Sequence, residues 1–160
     1  MELPAAKTVI DRYAAEGLTL ATAESCTGGL IAGALTEISG SSAVVDRGFV
    51  TYSNGAKAEL LGVDPALIDA HGAVSEDTAR AMVSGALKHA PVDCAVAVTG
   101  IAGPTGGSPD KPVGLVHMAA LRRGQDIRHE RHVFPGDRAA VRQATVDRAL
   151  EMLLELAETG

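Results

Sequence analysis

Apolar residues recur at Ala6, Val9, Ile10, Tyr13 and Ala14, the spacing of one helical face, and Gly17 follows as a stop. Leu18 to Ala23 is a short apolar run that reads as a strand. It ends in the small-residue turn Glu24-Ser25-Cys26-Thr27-Gly28-Gly29, after which Leu30 to Ile38 reads as a helix. Ser39-Gly40-Ser41-Ser42 is a loop. Val44 to Ser53, rich in β-branched and aromatic residues, reads as the next strand. Asn54-Gly55 is a turn signal, and Ala56 to Leu61 and Pro65 to Ala70 read as short helices. Ser75 suits an N-cap, with Glu76 and Asp77 placed to meet the helix dipole. Ala79, Met82, Val83, Ala86, Leu87 and Ala90 then follow at helical spacing.

Cys94 to Val98 is unbroken and apolar, as in a central strand covered on both faces. Gly114 to Leu121 and Ile127 to Phe134, joined by Arg123-Gly124, read as an antiparallel hairpin. Pro135-Gly136-Asp137 opens a C-terminal helix with Val141, Ala144, Leu150, Leu153, Leu154 and Ala157 available for burial. Helices alternate with strands through most of the chain. The fold class is therefore α/β, a three-layer α/β/α arrangement with a mixed sheet, in a single domain spanning 1–160.

Composition narrows the possibilities. Hydrophobic residues make up 46% and charged residues 21%, a globular balance, and aromatics only 2%, so the core rests on aliphatic side chains. The net charge of −6 and the scarcity of aromatics argue against nucleic acid as a partner, which needs a basic face and stacking platforms. Cys26 and Cys94 are far apart, and no Cys/His spacing suggests zinc, so no metal is expected. No apolar run approaches the ~18 residues of a membrane span. The early charges Glu2, Lys7 and Asp11 are unlike a secretory leader, so a cytoplasmic protein is expected. An alanine-rich, aromatic-poor domain often hides apolar helix faces in a partner, which suggests a homo-oligomer.

Four stretches carry candidate chemistry. Ser25 stands at the carboxyl end of a strand and directly before a helix, where open α/β sheets bind ligands. Backbone N–H groups at the helix start can hold an oxyanion or a phosphate, and Gly28 and Gly29 clear space for a substrate. The plainer reading is an N-cap serine with a glycine turn. A serine nucleophile needs a base. The five histidines, His71, His89, His117, His129 and His132, have no motif around them. Lys57 follows Tyr52-Ser53-Asn54-Gly55 at the end of a strand, on the Ser25 edge if the two strands run parallel. Burial would lower its pKa enough for base catalysis, with the Tyr52 hydroxyl relaying or orienting a proton. The plainer reading is a solvated first-turn lysine.

The glycine-rich loop Thr99 to Gly107 follows the most buried strand, and its N–H groups with Thr99, Thr105 and Ser108 suit a phosphate or ribose. It is not a Walker A loop, since no Gly-Lys-Ser/Thr closes it. Arg138 and Arg142 share a helix face and could clamp a phosphate, or simply face solvent.

Taken in order, Ala23-Glu24-Ser25-Cys26-Thr27-Gly28-Gly29, Tyr52-Ser53-Asn54 with Lys57, Gly72-Ala73-Val74-Ser75, Thr99-Gly100-Ile101-Ala102-Gly103-Pro104 with Gly106-Gly107, Lys111-Pro112-Val113-Gly114 and Phe134-Pro135-Gly136-Asp137-Arg138 resemble the signature of the CinA C-terminal-domain family, over nearly the whole chain. The chain resembles the family's stand-alone form. Larger members carry an added N-terminal domain resembling molybdopterin-binding proteins, whose activities do not carry over. The resemblance implies hydrolysis of nicotinamide mononucleotide to nicotinate mononucleotide and ammonia, in pyridine-nucleotide salvage and without a cofactor. It implies Ser25 as nucleophile, Lys57 and Tyr52 as its catalytic partners, and Thr99 as a substrate contact. Cys26, Thr27, Gly28, Gly29, Gly100 and Gly103 belong to the same substrate-binding blocks, and either Arg138 or Arg142 holds the phosphate. Two other readings stay open. Cys26 could be the nucleophile. Alternatively, the domain is a non-catalytic nucleotide-binding or regulatory module of the competence/damage-inducible type, a reading that leaves Ser25, Tyr52 and Lys57 at strand ends without a purpose.

Overall fold

The structure, a computed structural model, describes residues 3–159; Glu2, counted among the early charges, lies outside them. The elements run α1 (Pro4–Glu16), β1 (Leu20–Glu24), α2 (Leu30–Thr36), β2 (Val45–Val50), α3 (Asn54–Leu61), α4 (Pro65–His71), α5 (Glu76–His89), β3 (Cys94–Gly100), β4 (Leu115–Arg122), β5 (Arg128–Val133) and α6 (Arg138–Ala157). The sheet order is β2-β1-β3-β4-β5. β1 pairs parallel with β2 and β3, whereas β3–β4 and β4–β5 are antiparallel, so the sheet is mixed and the expected hairpin is present. The parallel pairing brings the carboxyl ends of β1, β2 and β3 to one edge.

Alternation along the strands divides the core into two layers. Leu20, Val96, Val98, Val116 and Met118 face α1, α2 and α6, where Val9, Ile10, Leu35, Leu150 and Leu153 are buried against them. Ala21, Ala23, Ala95, Ala97 and Ala119 form a carpet of small side chains under α5, packed with Met82, Val83 and Ala86. The small carpet draws α5 close to its neighbours. Gly85 of α5 meets the Leu61 carbonyl at the end of α3, leaving no room for a Cβ. This is the expected three-layer α/β/α arrangement.

Caps fix the helix starts. Ser75 accepts from the Thr78 N–H, and Asp137 from the Ala140 N–H. One expectation fails at Asn54-Gly55, which is the first turn of α3 and not a separate turn. The Ser53 hydroxyl caps this helix by accepting from the Ala56 N–H. A tight reversal has no use after β2, because β2 pairs in parallel with β1 and the chain must cross over.

Candidate active site

Backbone pairing builds the site. The Ser25 N–H donates to the Val98 carbonyl (3.1 Å) on β3, and the Thr51 N–H donates to the Glu24 carbonyl (2.8 Å) at the end of β1. The first residues past β1 and β2 are thus locked side by side. Ser53 then starts α3, whose first turn swings Lys57 back under the sheet edge. Its Nζ lies 3.0 Å from Ser25 Oγ, 2.8 Å from the Thr51 carbonyl and 3.5 Å from the Tyr52 carbonyl. Lys57 is 1% exposed. The solvated reading of this lysine is therefore excluded. Burial lowers its pKa from the ordinary lysine value, because removing water disfavours the ammonium.

A cavity of about 260 Å³ opens over this pair. Ser25, Cys26, Tyr52, Lys57, Thr99, Gly100, Gly103 and Arg138 of the expected site residues line it, with the Ala73-Val74 segment opposite. No histidine lines it among the described residues. The Thr99 hydroxyl donates to the Ala73 carbonyl (2.8 Å), tying the glycine-rich loop to the start of α5. Tyr52 is exposed, and its hydroxyl accepts from Arg138 (3.2 Å) while its carbonyl faces Lys57. Arg138 also donates to the Gly103 carbonyl (2.9 Å), so it bridges the two loops that frame the cavity.

Thr27, Gly28, Gly29 and Arg142 do not line the cavity. Gly28 and Gly29 have φ of 59° and 106°, a left-handed pair that side chains resist, so the turn itself explains these glycines. Arg142 reaches the turn from α6. It donates to the carbonyls of Cys26 (3.1 Å) and Thr27 (3.2 Å). The shared face expected for Arg138 and Arg142 therefore splits, one residue at the cavity and the other beneath the turn.

Sequence reasoning passed over Glu24. Its carboxylate is fully buried and accepts from the Thr27 hydroxyl (2.5 Å) and from the N–H groups of Ile31 (2.9 Å) and Ala32 (3.0 Å). The start of α2 is thereby occupied by the protein's own carboxylate and is not the open anion site expected there. The only available signal was an acidic residue ending an apolar strand directly before a helix. In the turn itself, the Gly28 N–H is spent on the Ser25 carbonyl (3.1 Å). The N–H groups of Cys26 and Thr27 donate to no other residue among those described. Cys26 is buried and its thiol is pushed up to about 11, chiefly by desolvation.

No helix among the described residues is long and apolar enough to cross a membrane. Residues 2–157 match the family model described as the CinA C-terminal domain. The chain is 54% identical over 140 residues to the nicotinamide-nucleotide amidohydrolase PncC of Escherichia coli, covering 87% of this chain and 84% of that one. It is 48% identical over 149 residues to a CinA-like protein of Akkermansia muciniphila, covering 93% of this chain and 36% of the relative. Several relatives are longer in this way, and the chain spans about a third of the length of the first curated ones it matches. A crystal structure of the competence/damage inducible protein CihA from Agrobacterium tumefaciens superposes with a TM-score of 0.92 at 52% identity, covering 98% of both chains. With its signature turn, its crossover lysine and its glycine-rich loop assembled on one sheet edge, the chain belongs to the CinA C-terminal domain family.

Proposed function

We propose that this chain is a nicotinamide-nucleotide amidohydrolase, converting nicotinamide mononucleotide and water to nicotinate mononucleotide and ammonia. The observation that carries this reading is the buried Lys57 amine 3.0 Å from Ser25 Oγ at the floor of a cavity. The 54% identity to a protein named for that activity supports the choice of substrate.

Lys57 has the hydrogen bonds a neutral amine needs. Two N–H groups point to the carbonyls of Thr51 and Tyr52, which leaves the lone pair for the Ser25 hydroxyl. Lys57 takes the Ser25 proton as Oγ bonds to the carboxamide carbon, and the C=O electrons move to oxygen. The amide of Cys26, a residue that lines the cavity, stabilises that oxyanion, a contribution of ~3 kcal/mol per donor. The tetrahedral intermediate collapses, the C–N bond breaks, and the leaving nitrogen takes the proton from the Lys57 ammonium and departs as ammonia. Water, deprotonated by Lys57, then attacks the acyl-serine, and Ser25 is restored by the same proton. Arg138, with donors left over from its bonds to Gly103 and Tyr52, holds the nucleotide phosphate at the cavity mouth. Tyr52 positions Arg138 and, through its carbonyl, Lys57.

Ammonia release from nicotinamide mononucleotide by the purified chain, beside Ser25→Ala, tests this. Release by the wild type and none measurable by the variant is expected. No release by either, with the nucleotide still raising the melting temperature, would move the assignment to a binding module.

A further inference from the structure

A carboxylate without a cationic partner is costly to bury, and Glu24, fully buried at the end of β1, has no ion pair among the described residues. What compensates is a set of three donors, the Thr27 hydroxyl and the first-turn amides of Ile31 and Ala32. Capping α2 needs no more than a serine or asparagine. The glutamate does something further. By reaching the helix start and Thr27 together, it ties the middle of the Ser25 turn to the helix that follows.

Arg142, from α6, grips the same turn through the carbonyls of Cys26 and Thr27. A trans peptide is planar, so its N–H points opposite to its C=O. Holding the Cys26 carbonyl toward Arg142 therefore turns the Thr27 N–H away from α6. Holding the Thr27 carbonyl there does the same for the Gly28 N–H, which is taken up by the Ser25 carbonyl. The turn has little freedom left.

On the reading that Ser25 is the nucleophile, we infer that Glu24 is a positioning residue of the amidase site. Its buried carboxylate, together with Arg142, holds the turn so that the Cys26 amide, at the cavity wall, is in place before the oxyanion forms. Glu24 touches no substrate; it acts through Thr27 and the start of α2. Pre-set donors matter more to the transition state than to the ground state, so the effect falls on kcat and spares KM.

The test is steady-state ammonia release by the full chain with Glu24→Gln, Thr27→Val and Thr27→Ser, alongside wild type and Ser25→Ala, each checked for folding by circular dichroism. In Glu24→Gln one carboxylate oxygen becomes an NH2 that faces an N–H donor. A loss in kcat of roughly 10- to 100-fold is expected, with KM within about threefold of wild type. Thr27→Val, which keeps the shape and removes the donor, loses kcat in the same direction, and Thr27→Ser recovers most of it. A folded Glu24→Gln with wild-type kcat overturns the inference. If Glu24→Gln fails to fold, equal kcat for Thr27→Val and Thr27→Ser overturns it, and a deficit confined to Thr27→Val supports it. Inactive wild type would overturn the amidase reading itself, a result distinct from active wild type with an unaffected Glu24 variant.

Discussion

Lys57 and Arg123 are two cations that reach backbone carbonyls at opposite edges of the same sheet. Arg123, just past β4, donates to the carbonyls of Leu87, Ala90 and Val92, which end α5 and lead into β3. The cleft beside it is the larger of the two, about 580 Å³ against about 260 Å³ over Lys57. Size is thus a poor guide to chemistry here. Arg123 is exposed, cannot lose its proton, and uses its donors to close a helix end. Lys57 is buried, is able to lose its proton, and has a hydroxyl within reach as well as two carbonyls. One finishes the fold; the other is kept out of water at some cost in stability, beside the Ser25 hydroxyl.

Replacing each cation with methionine separates the two roles. On the proposed mechanism Lys57→Met removes the base and is expected to lower kcat by about 10²- to 10⁴-fold. A Lys57→Met enzyme with more than a tenth of wild-type kcat would remove Lys57 from the chemistry. The second largest effect is on pH. Because burial lowers the Lys57 pKa and the proposed mechanism uses the neutral amine, kcat/KM should rise with pH along a limb centred below the ordinary lysine value. The limb should vanish in Lys57→Met. The same shift makes stability rise with pH between the folded and unfolded lysine values, since the unfolded chain holds the proton longer. Arg123→Met is expected to do the reverse of Lys57→Met, leaving kcat within about twofold while thermal unfolding shows a loss on the order of 1 kcal/mol from carbonyls that lose their donor.

How far the sequence foretold this contrast depends on the scale of the feature. The sheet and α5 were legible because their signals are local: the apolar run from Cys94 to Val98, and Ser75 ahead of a regular helical stripe. Asn54-Gly55 misled because its turn preference is weak beside a serine cap and a parallel neighbour. Within the site, the order of motifs pointed to Ser25, Tyr52 and Lys57, but not to their geometry. Whether a first-turn lysine faces water or the sheet depends on where the end of β1 lies, which no spacing around Lys57 records. Arg138 and Arg142 are four residues apart in the sequence and were indistinguishable. One turn of α6 is enough to put the first beside the Gly103 carbonyl and the second beneath the Ser25 turn. Glu24 was illegible because its partners Ile31 and Ala32 are backbone amides, which carry no mark in a sequence.

The smallest expected effect concerns Cys26, which stands next to Ser25 and lines the same cavity. A thiolate would be the stronger nucleophile, so the assignment to serine needs a reason. Burial is the main one, and the Glu24 carboxylate adds to it. Together they outweigh the cysteine's own backbone N–H and the cations Arg142 and Lys57, and the thiol is pushed up to about 11. At pH 8 it stays protonated while the Ser25 hydroxyl has an amine 3.0 Å away. Cys26→Ala keeps the backbone amide and removes only the thiol, so kcat/KM should fall less than tenfold. Wild type should react slowly with iodoacetamide at pH 8, and faster as pH rises toward 11. Rapid alkylation at pH 8 that removes all activity, together with an inactive Cys26→Ala, would transfer the nucleophile's role from Ser25 to Cys26 and leave Lys57 as the base of a thiol enzyme.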